Sequence, residues 1–317
     1  MIKILDCTLR DGGYLNDWKF GKDNISEIIT LLSNAKIDYI ECGFLKNIKS
    51  YNPDVALYND AGMLNHSDTA SFTLMLNYGE EVTNLKFNKN VEIRLAFKPH
   101  QLSEIETFTK PLIDNGYAVS LNPMHIGLYS AENLKNLADI TNSLAPTCLT
   151  PVDTMGILTP DDTEKIFTYL DENVNKTIPF GFHSHNNLNL SRANVEKIID
   201  MDLKRDVIID TSLNGISRGG GMLPTEEMAE MLNKKCGAKY DIQILEELNA
   251  LIKKIVPTEE NKQPYCLSAK YKCHPNYALY LITQNYPTDK MPEIFKQIPK
   301  ADRIIYSQKV IENIINK

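Results

Sequence analysis

The residues with the greatest chemical capacity lie in two short stretches, His183-Ser184-His185 and Arg10-Asp11-Gly12-Gly13. Histidines two apart on an extended strand point to the same side. Two imidazoles on one face suit a divalent ion, and a carboxylate commonly completes such a set. Asp11 is the candidate carboxylate, and Arg10 beside it is a fixed cation able to stabilise a developing oxyanion. The plainer alternatives are a hydrogen-bonded histidine pair at a strand end and an Arg–Asp pair that closes a turn. A third stretch, Arg218-Gly219-Gly220-Gly221 ahead of Pro224-Thr225-Glu226-Glu227, offers backbone N–H groups and a helix start to an anion. Its plainer alternative is a loop that needs glycine to turn.

Elements must position these stretches. Short apolar, β-branched runs at 2–7, 37–42, 71–76, 91–97, 118–121, 147–152, 178–183 and 207–211 alternate with helical patterns. The helical patterns cover 24–34, 103–115, 131–144 and 190–201, and others open at 159 and near 224. Thr159 before Pro160 is an N-cap with proline at the first helical position. Alternation of this kind predicts an α/β fold with a parallel sheet, and eight units over about 235 residues predict a (β/α)8 TIM barrel. A doubly wound open sheet is the alternative, but no GxGxxG follows the first run. The crossover at 45–68 is irregular and polar and is the weakest of the set. Helical patterns at 242–256, 276–283 and 309–315 divide the chain into a barrel at 1–239 and a helical C-terminal extension at 240–317. Such an extension caps a barrel mouth or builds a contact between copies.

Barrel active sites are built where strands end. Those points carry Tyr14, Glu41, Lys98, Asn122, Asp153, the histidine pair and the Arg218 loop. Asn122, Asp153, Arg218, Gly219 and Gly220 are the expected substrate contacts. The net charge of −7 and pI near 5.5 argue against nucleic acid as a partner. Six cysteines without a CxxC pair read as reduced and structural. No signal peptide and no membrane span is read, so a cytoplasmic location is expected.

The motifs LDCTLRDGG, DYIECGF, VDTMGILTP, GFHSHNNLNLSRAN and DTSLNGISRGGGMLPTEE occur in that order. Together they resemble the DRE-TIM metallolyase (HMG-CoA-lyase-like) family over about residues 1–235, and within it the 4-hydroxy-2-oxovalerate aldolases most. The resemblance implies Mn2+ or Mg2+ held by Asp11, His183 and His185, and an enolate stabilised by Arg10. Glu41 matches the family's acidic residue after the second strand, and Asp6 an early structural acid. The implied substrates are a 2-oxo acid of the pyruvate type and an aldehyde. A homo-oligomer and an aldehyde dehydrogenase partner, which some relatives use, are left open.

The chain departs from the family at Met222, where most members place an asparagine near the metal. The glycine-rich loop lacks the cysteine of hydroxymethylglutaryl-CoA lyase. Tyr14 stands near the position where the aldolases carry a histidine, which leaves Tyr14 and His125 as candidate bases. Tyr277 is a candidate acid or an ordinary packing residue. The rival activity is a Claisen-type acyltransferase that condenses acetyl-CoA with a 2-oxo acid, as isopropylmalate synthase does. More distant rivals are a metal-dependent hydrolase, a non-catalytic binding relative and a metal-free aldolase using Lys98.

Overall fold

The structure is a computed structural model that describes residues 1–64, 69–257 and 261–316. Its main strands are Ile2–Asp6 (β1), Tyr39–Leu45 (β2), Ser71–Asn77 (β3), Glu92–Phe97 (β4), Val119–Pro123 (β5), Val152–Asp153 (β6), Phe180–Ser184 (β7) and Val207–Thr211 (β8). All pair in parallel, in the order β5-β4-β3-β2-β1-β8-β7-β6. Isolated bridges Leu121↔Leu149 and Met124↔Val152 join the two ends, so the sheet closes on itself. The fold is the (β/α)8 barrel expected from the alternation.

The sixth strand is shorter than the run at 147–152 suggests. Leu149 bridges both neighbours, but regular pairing starts only at Val152. Pro151 lies between them, and a proline has no N–H to give to a ladder. Its carbonyl still accepts from the His183 N–H, at 3.1 Å.

Each strand alternates between two cores. Ile4, Ile40, Leu74, Leu95, Leu121 and Ile209 join the large apolar layer beneath the helices. Leu5, Cys7, Cys148, Ile208 and Met222 form a separate small cluster inside the ring. Above it the interior turns polar, with Glu41, Arg94, Asp210 and His183 all buried. β2 carries a register shift between Glu41 and Phe44. Gly43 there has φ +146°, and a Cβ on it would lie 2.1 Å from the Ala56 carbonyl oxygen. Glycine is needed for both reasons.

The outer wall is uneven. Lys22–Asn34 follows β1, and Ile105–Asp114, Ala131–Leu144, Pro160–Asn173, Ser191–Asp200 and Thr225–Cys236 follow β4 to β8. Among the described residues no α-helix follows β2 or β3. Those crossovers hold the short strand Leu57–Tyr58 and the 3-10 turns Ala61–Met63 and Val82–Asn84. Residues 65–68 of the weak crossover lie outside the described residues. Thr159 and Ser130 each accept from the third N–H of their helix, as full capping boxes.

Helix Ile242–Ile255, placed by the sequence in the extension, packs through Leu245, Leu248 and Ile252 into the barrel's own core. Beyond Val256 a second apolar core forms around Tyr265, Tyr277, Leu281, Phe295 and Ile311. Two short helices there, Gln263–Lys270 and Met291–Gln297, have no counterpart in the sequence reading. No helix among the described residues is long and apolar enough to cross a membrane.

Candidate active site

The turn Thr8–Asp11 follows β1 directly and brings Arg10 and Asp11 over the barrel mouth. Asp6 anchors that turn, accepting from the Thr8 N–H at 2.9 Å and the Thr8 hydroxyl at 3.1 Å, and also from Thr225. Burial pushes the Asp6 carboxyl up to about 6, against those hydrogen bonds. The expected structural role of Asp6 agrees with this placement.

From β7, His183 presents Nε2 to an Asp11 oxygen at 3.1 Å, and His185 presents Nε2 to the same oxygen at 3.9 Å. All three side chains are buried. Their other faces are fixed as well. His183 Nδ1 lies 2.8 Å from Asp210, and His185 Nδ1 lies 3.2 Å from the Ser217 hydroxyl.

A closed circuit of charges surrounds them. Arg10 Nε donates to Glu41 at 2.6 Å, and Arg94 donates to Glu41 at 2.9 Å and to Asp210 at 2.6 Å. Asp210 holds His183, His183 faces Asp11, and Asp11 lies 3.2 Å from Arg10. Burial alone would disfavour the charged form of Asp11, but Arg10 and the two histidines hold its carboxyl well below the usual range. Burial likewise opposes ionisation of Asp210, and Arg94 and His183 outweigh it. Burial pushes His185 down to about 3, which leaves a neutral imidazole.

A divalent cation fits this arrangement. Burial alone would lower the His183 imidazole, but its contacts with Asp11 and Asp210 raise it above its ordinary value, so the 3.1 Å gap between its Nε2 and Asp11 is a place for a proton or for a cation that displaces it. Neither Asp11 oxygen has a hydrogen-bond donor, though both are buried. Lone pairs facing each other at that range need a proton or a cation between them. The circuit holds three carboxylates and two guanidinium groups, so it carries one negative charge that a proton on His183, or a cation in its place, offsets. Cys7 Sγ also lies within 4.8 Å of the Asp11 and His183 ligand atoms. It is occupied with the Thr211 carbonyl at 3.1 Å, and burial drives its thiol pKa well up, away from the thiolate a metal would need.

The cleft above is lined by Arg10, Asp11, Tyr14, Phe44, Met75, Asn77, Ala96, Asn122, Met124, Thr154, His183, His185 and Arg218. Glu41 lies behind Arg10 rather than on the cleft wall, so it positions that guanidinium. Asn122 is buried, with its Nδ2 donor unpartnered. Tyr14 stands on the rim with the Arg218 guanidinium 4.7 Å over its ring.

Three expected substrate contacts lie elsewhere. Asp153 accepts from the Ile157 N–H at 3.1 Å and the Leu158 N–H at 3.0 Å, so its carboxylate ties its own loop. Gly219 and Gly220 lie against Asn187, whose Oδ1 accepts the Gly220 N–H at 2.6 Å. Tyr277 is buried in the second core and donates to the Asp302 carbonyl at 2.8 Å. Arg94 and Asp210 were missed, because they lie within strands β4 and β8 rather than just beyond them. The signal was present: a charge inside an otherwise apolar strand has to be paired.

The profile of the HMGL-like family matches residues 90–252, about half of the chain. The chain belongs to the HMGL-like family. The resemblance read from the ordered motifs thus holds. A 4-hydroxy-2-oxovalerate aldolase from Geobacillus genomosp. 3 is 26% identical over 263 residues, covering 78% of this chain and 75% of its own. An (R)-citramalate synthase from Methanocaldococcus jannaschii is 23% identical over 278 residues, covering 83% of this chain and 55% of its own. Among solved structures, the N-terminal domain of a candidate aldolase from Bacteroides vulgatus superposes with a TM-score of 0.78 at 25% identity. It covers 92% of this chain and 99% of its own. The HMG-CoA lyase of Bacillus subtilis superposes with a TM-score of 0.63 at 15% identity over 82% of this chain and 96% of its own, a likeness of fold.

Proposed function

We propose that this HMGL-like enzyme is a divalent-metal-dependent aldolase that cleaves or forms a carbon–carbon bond through a pyruvate-type enolate. The observation that carries the reading is the donor-free Asp11 carboxylate facing two fixed imidazoles beside a clamped Arg10. An Mn2+ or Mg2+ ion held by Asp11, His183 and His185 would supply Lewis acidity toward a 2-oxo acid. Arg10 presents its guanidinium to the enolate oxygen as negative charge grows there, and Glu41 keeps it from swinging away. The unpartnered Nδ2 of Asn122 donates to a substrate oxygen. Phe44, Met75, Ala96 and Met124 form an apolar wall against the carbon chain of the aldehyde partner.

Tyr14, held over the cleft by Arg218, hydrogen-bonds the aldol hydroxyl and relays its proton to solvent, the phenol giving up its own proton to water as it accepts the new one. His125 is less suited, because burial pushes its imidazole down to about 4 and its ring does not line the cleft. The decisive test is deuterium exchange into the pyruvate methyl group, followed by NMR with added Mn2+ and with chelator. Exchange should require the ion and vanish in Asp11→Ala; ion-independent exchange would sink the reading.

The synthase relative favours one further reading, condensation of acetyl-CoA with a 2-oxo acid. Release of free coenzyme A from acetyl-CoA and pyruvate, in protein that does not exchange pyruvate protons, would transfer the assignment to that reaction.

A further inference from the structure

Beside the metal-ligand set, on the other side of Arg218, lies a group of basic side chains that the aldol reaction does not use. His125 follows β5 and His274 comes from the C-terminal extension, yet their rings lie 6.3 Å apart. His125 is 4% exposed and its Nδ1 has no hydrogen-bond partner. His274 Nδ1 accepts from the Asn276 N–H at 3.1 Å, which leaves Nε2–H as the donor of the neutral ring. The titratable neighbours that act on the His125 ring are Lys98, Arg218 and His100, and those on the His274 ring are Arg218, His125, Lys98 and His185. All are basic.

The contrast with the metal-ligand set is sharp. There, Arg10 and Arg94 are each clamped by a carboxylate. Here, among the described residues, neither Lys98 nor Arg218 forms an ion pair, and the Nε of Arg218 is buried without a partner. In a chain of net charge −7 such a cluster is not a product of composition. Two cations without a counter-charge, Lys98 and Arg218, beside a buried imidazole with an unpartnered nitrogen, are a set that an anion completes.

We infer that Lys98, His125, Arg218 and His274 form a second anion site, which receives a phosphate or carboxylate at the far end of the aldehyde partner. The placement of that anion on the aldehyde rests on the aldolase reading; the existence of the site does not. Arg218 lines the cleft with His183 and His185 and also acts on the His125 and His274 rings, so the two centres adjoin through it. The extension thereby sets which aldehydes are accepted.

The test is calorimetric titration of the full chain with inorganic phosphate and, separately, with succinate. One equivalent should bind, and Lys98→Gln and His274→Asn should each weaken binding on the order of 10- to 100-fold, as expected for charge-assisted hydrogen bonds. Asparagine at 274 keeps a helix-capping acceptor, so that variant should retain its fold. Binding should persist in Asp11→Asn, which removes a metal ligand. Tighter phosphate points to a phosphorylated aldehyde, and tighter succinate to a carboxylated one. If neither anion binds, or if binding is lost in Asp11→Asn and unchanged in Lys98→Gln, the inference is overturned. Deuterium exchange into pyruvate is scored apart: its failure removes the enolate reading and leaves these titrations to stand.

Discussion

Asp210 shows how much of a site lies one bond behind the residues that face the substrate. It fixes the tautomer of His183 and is itself fixed by Arg94. Asp210→Asn should therefore weaken metal binding about 10- to 100-fold, with Asp11, His183 and His185 intact. Competition with a fluorescent chelator measures this directly. Asp153 tests the opposite case, a polar residue at a strand end that faces its own backbone. Burial raises it to about 6, so the folded state holds the proton more tightly than the unfolded chain, whose ordinary value is 3.8. Its contribution to stability is full below about 4 and is lost as pH rises through about 6. In Asp153→Asn the urea-unfolding free energy should lose that part of its pH slope, up to about 1.4 kcal/mol per unit. KM for the 2-oxo acid should stay near its wild-type value. At this scale the sequence exposed Arg10, Asp11, His183 and His185 through type and spacing. It did not tell Asp153 from Asn122, since both end strands and only the local turn decides where each side chain points.

Among the elements, β2 is the one whose irregularity has a purpose. Its shifted register places Glu41 inward and Phe44 on the cleft wall, and the shift depends on Gly43. Gly43→Ala drives a methyl group against the Ala56 carbonyl in a backbone conformation alanine rarely adopts, at a cost of about 2 kcal/mol or more. The urea midpoint should fall, and pyruvate exchange should slow because Arg10 loses its clamp; an unchanged midpoint would refute this account of the bulge. Helix Ala131–Leu144 was legible at both ends and helix Pro160–Asn173 at its start, because capping chemistry is local. After β2 and β3 the sequence showed no helical pattern, and the described residues there hold turns and one short strand. The missing periodicity at 45–68 is itself the signal that turns replace a helix.

For the molecule as a whole, metal binding and stability are linked. An ion that binds only the folded chain should raise Tm, and chelator should lower it on the order of 5 °C when the free ion was near a hundred times its Kd. Differential scanning fluorimetry reads the shift, and Asp11→Asn should show none. The barrel was legible because eight short apolar runs recur with helical patterns or turns between them. The boundary of the extension was not, because helix Ile242–Ile255 has the same amphipathic pattern whichever core it joins.

The break at Pro151 gives the ring a seam. Between β5 and β6 the sheet is held by isolated bridges, while every other neighbouring pair is joined by a ladder, that of β2 and β3 with its register shift. A closed sheet with one thin seam behaves in time like a strip with two ends. In deuterated water the amides of residues 121 and 150, which meet across the seam, should label before those of β1 and β8. Arg10, Glu41, Arg94, Asp210 and His183 hang from β1, β2, β4, β8 and β7, all on one unbroken arc. The barrel can breathe at its seam without parting any two of them.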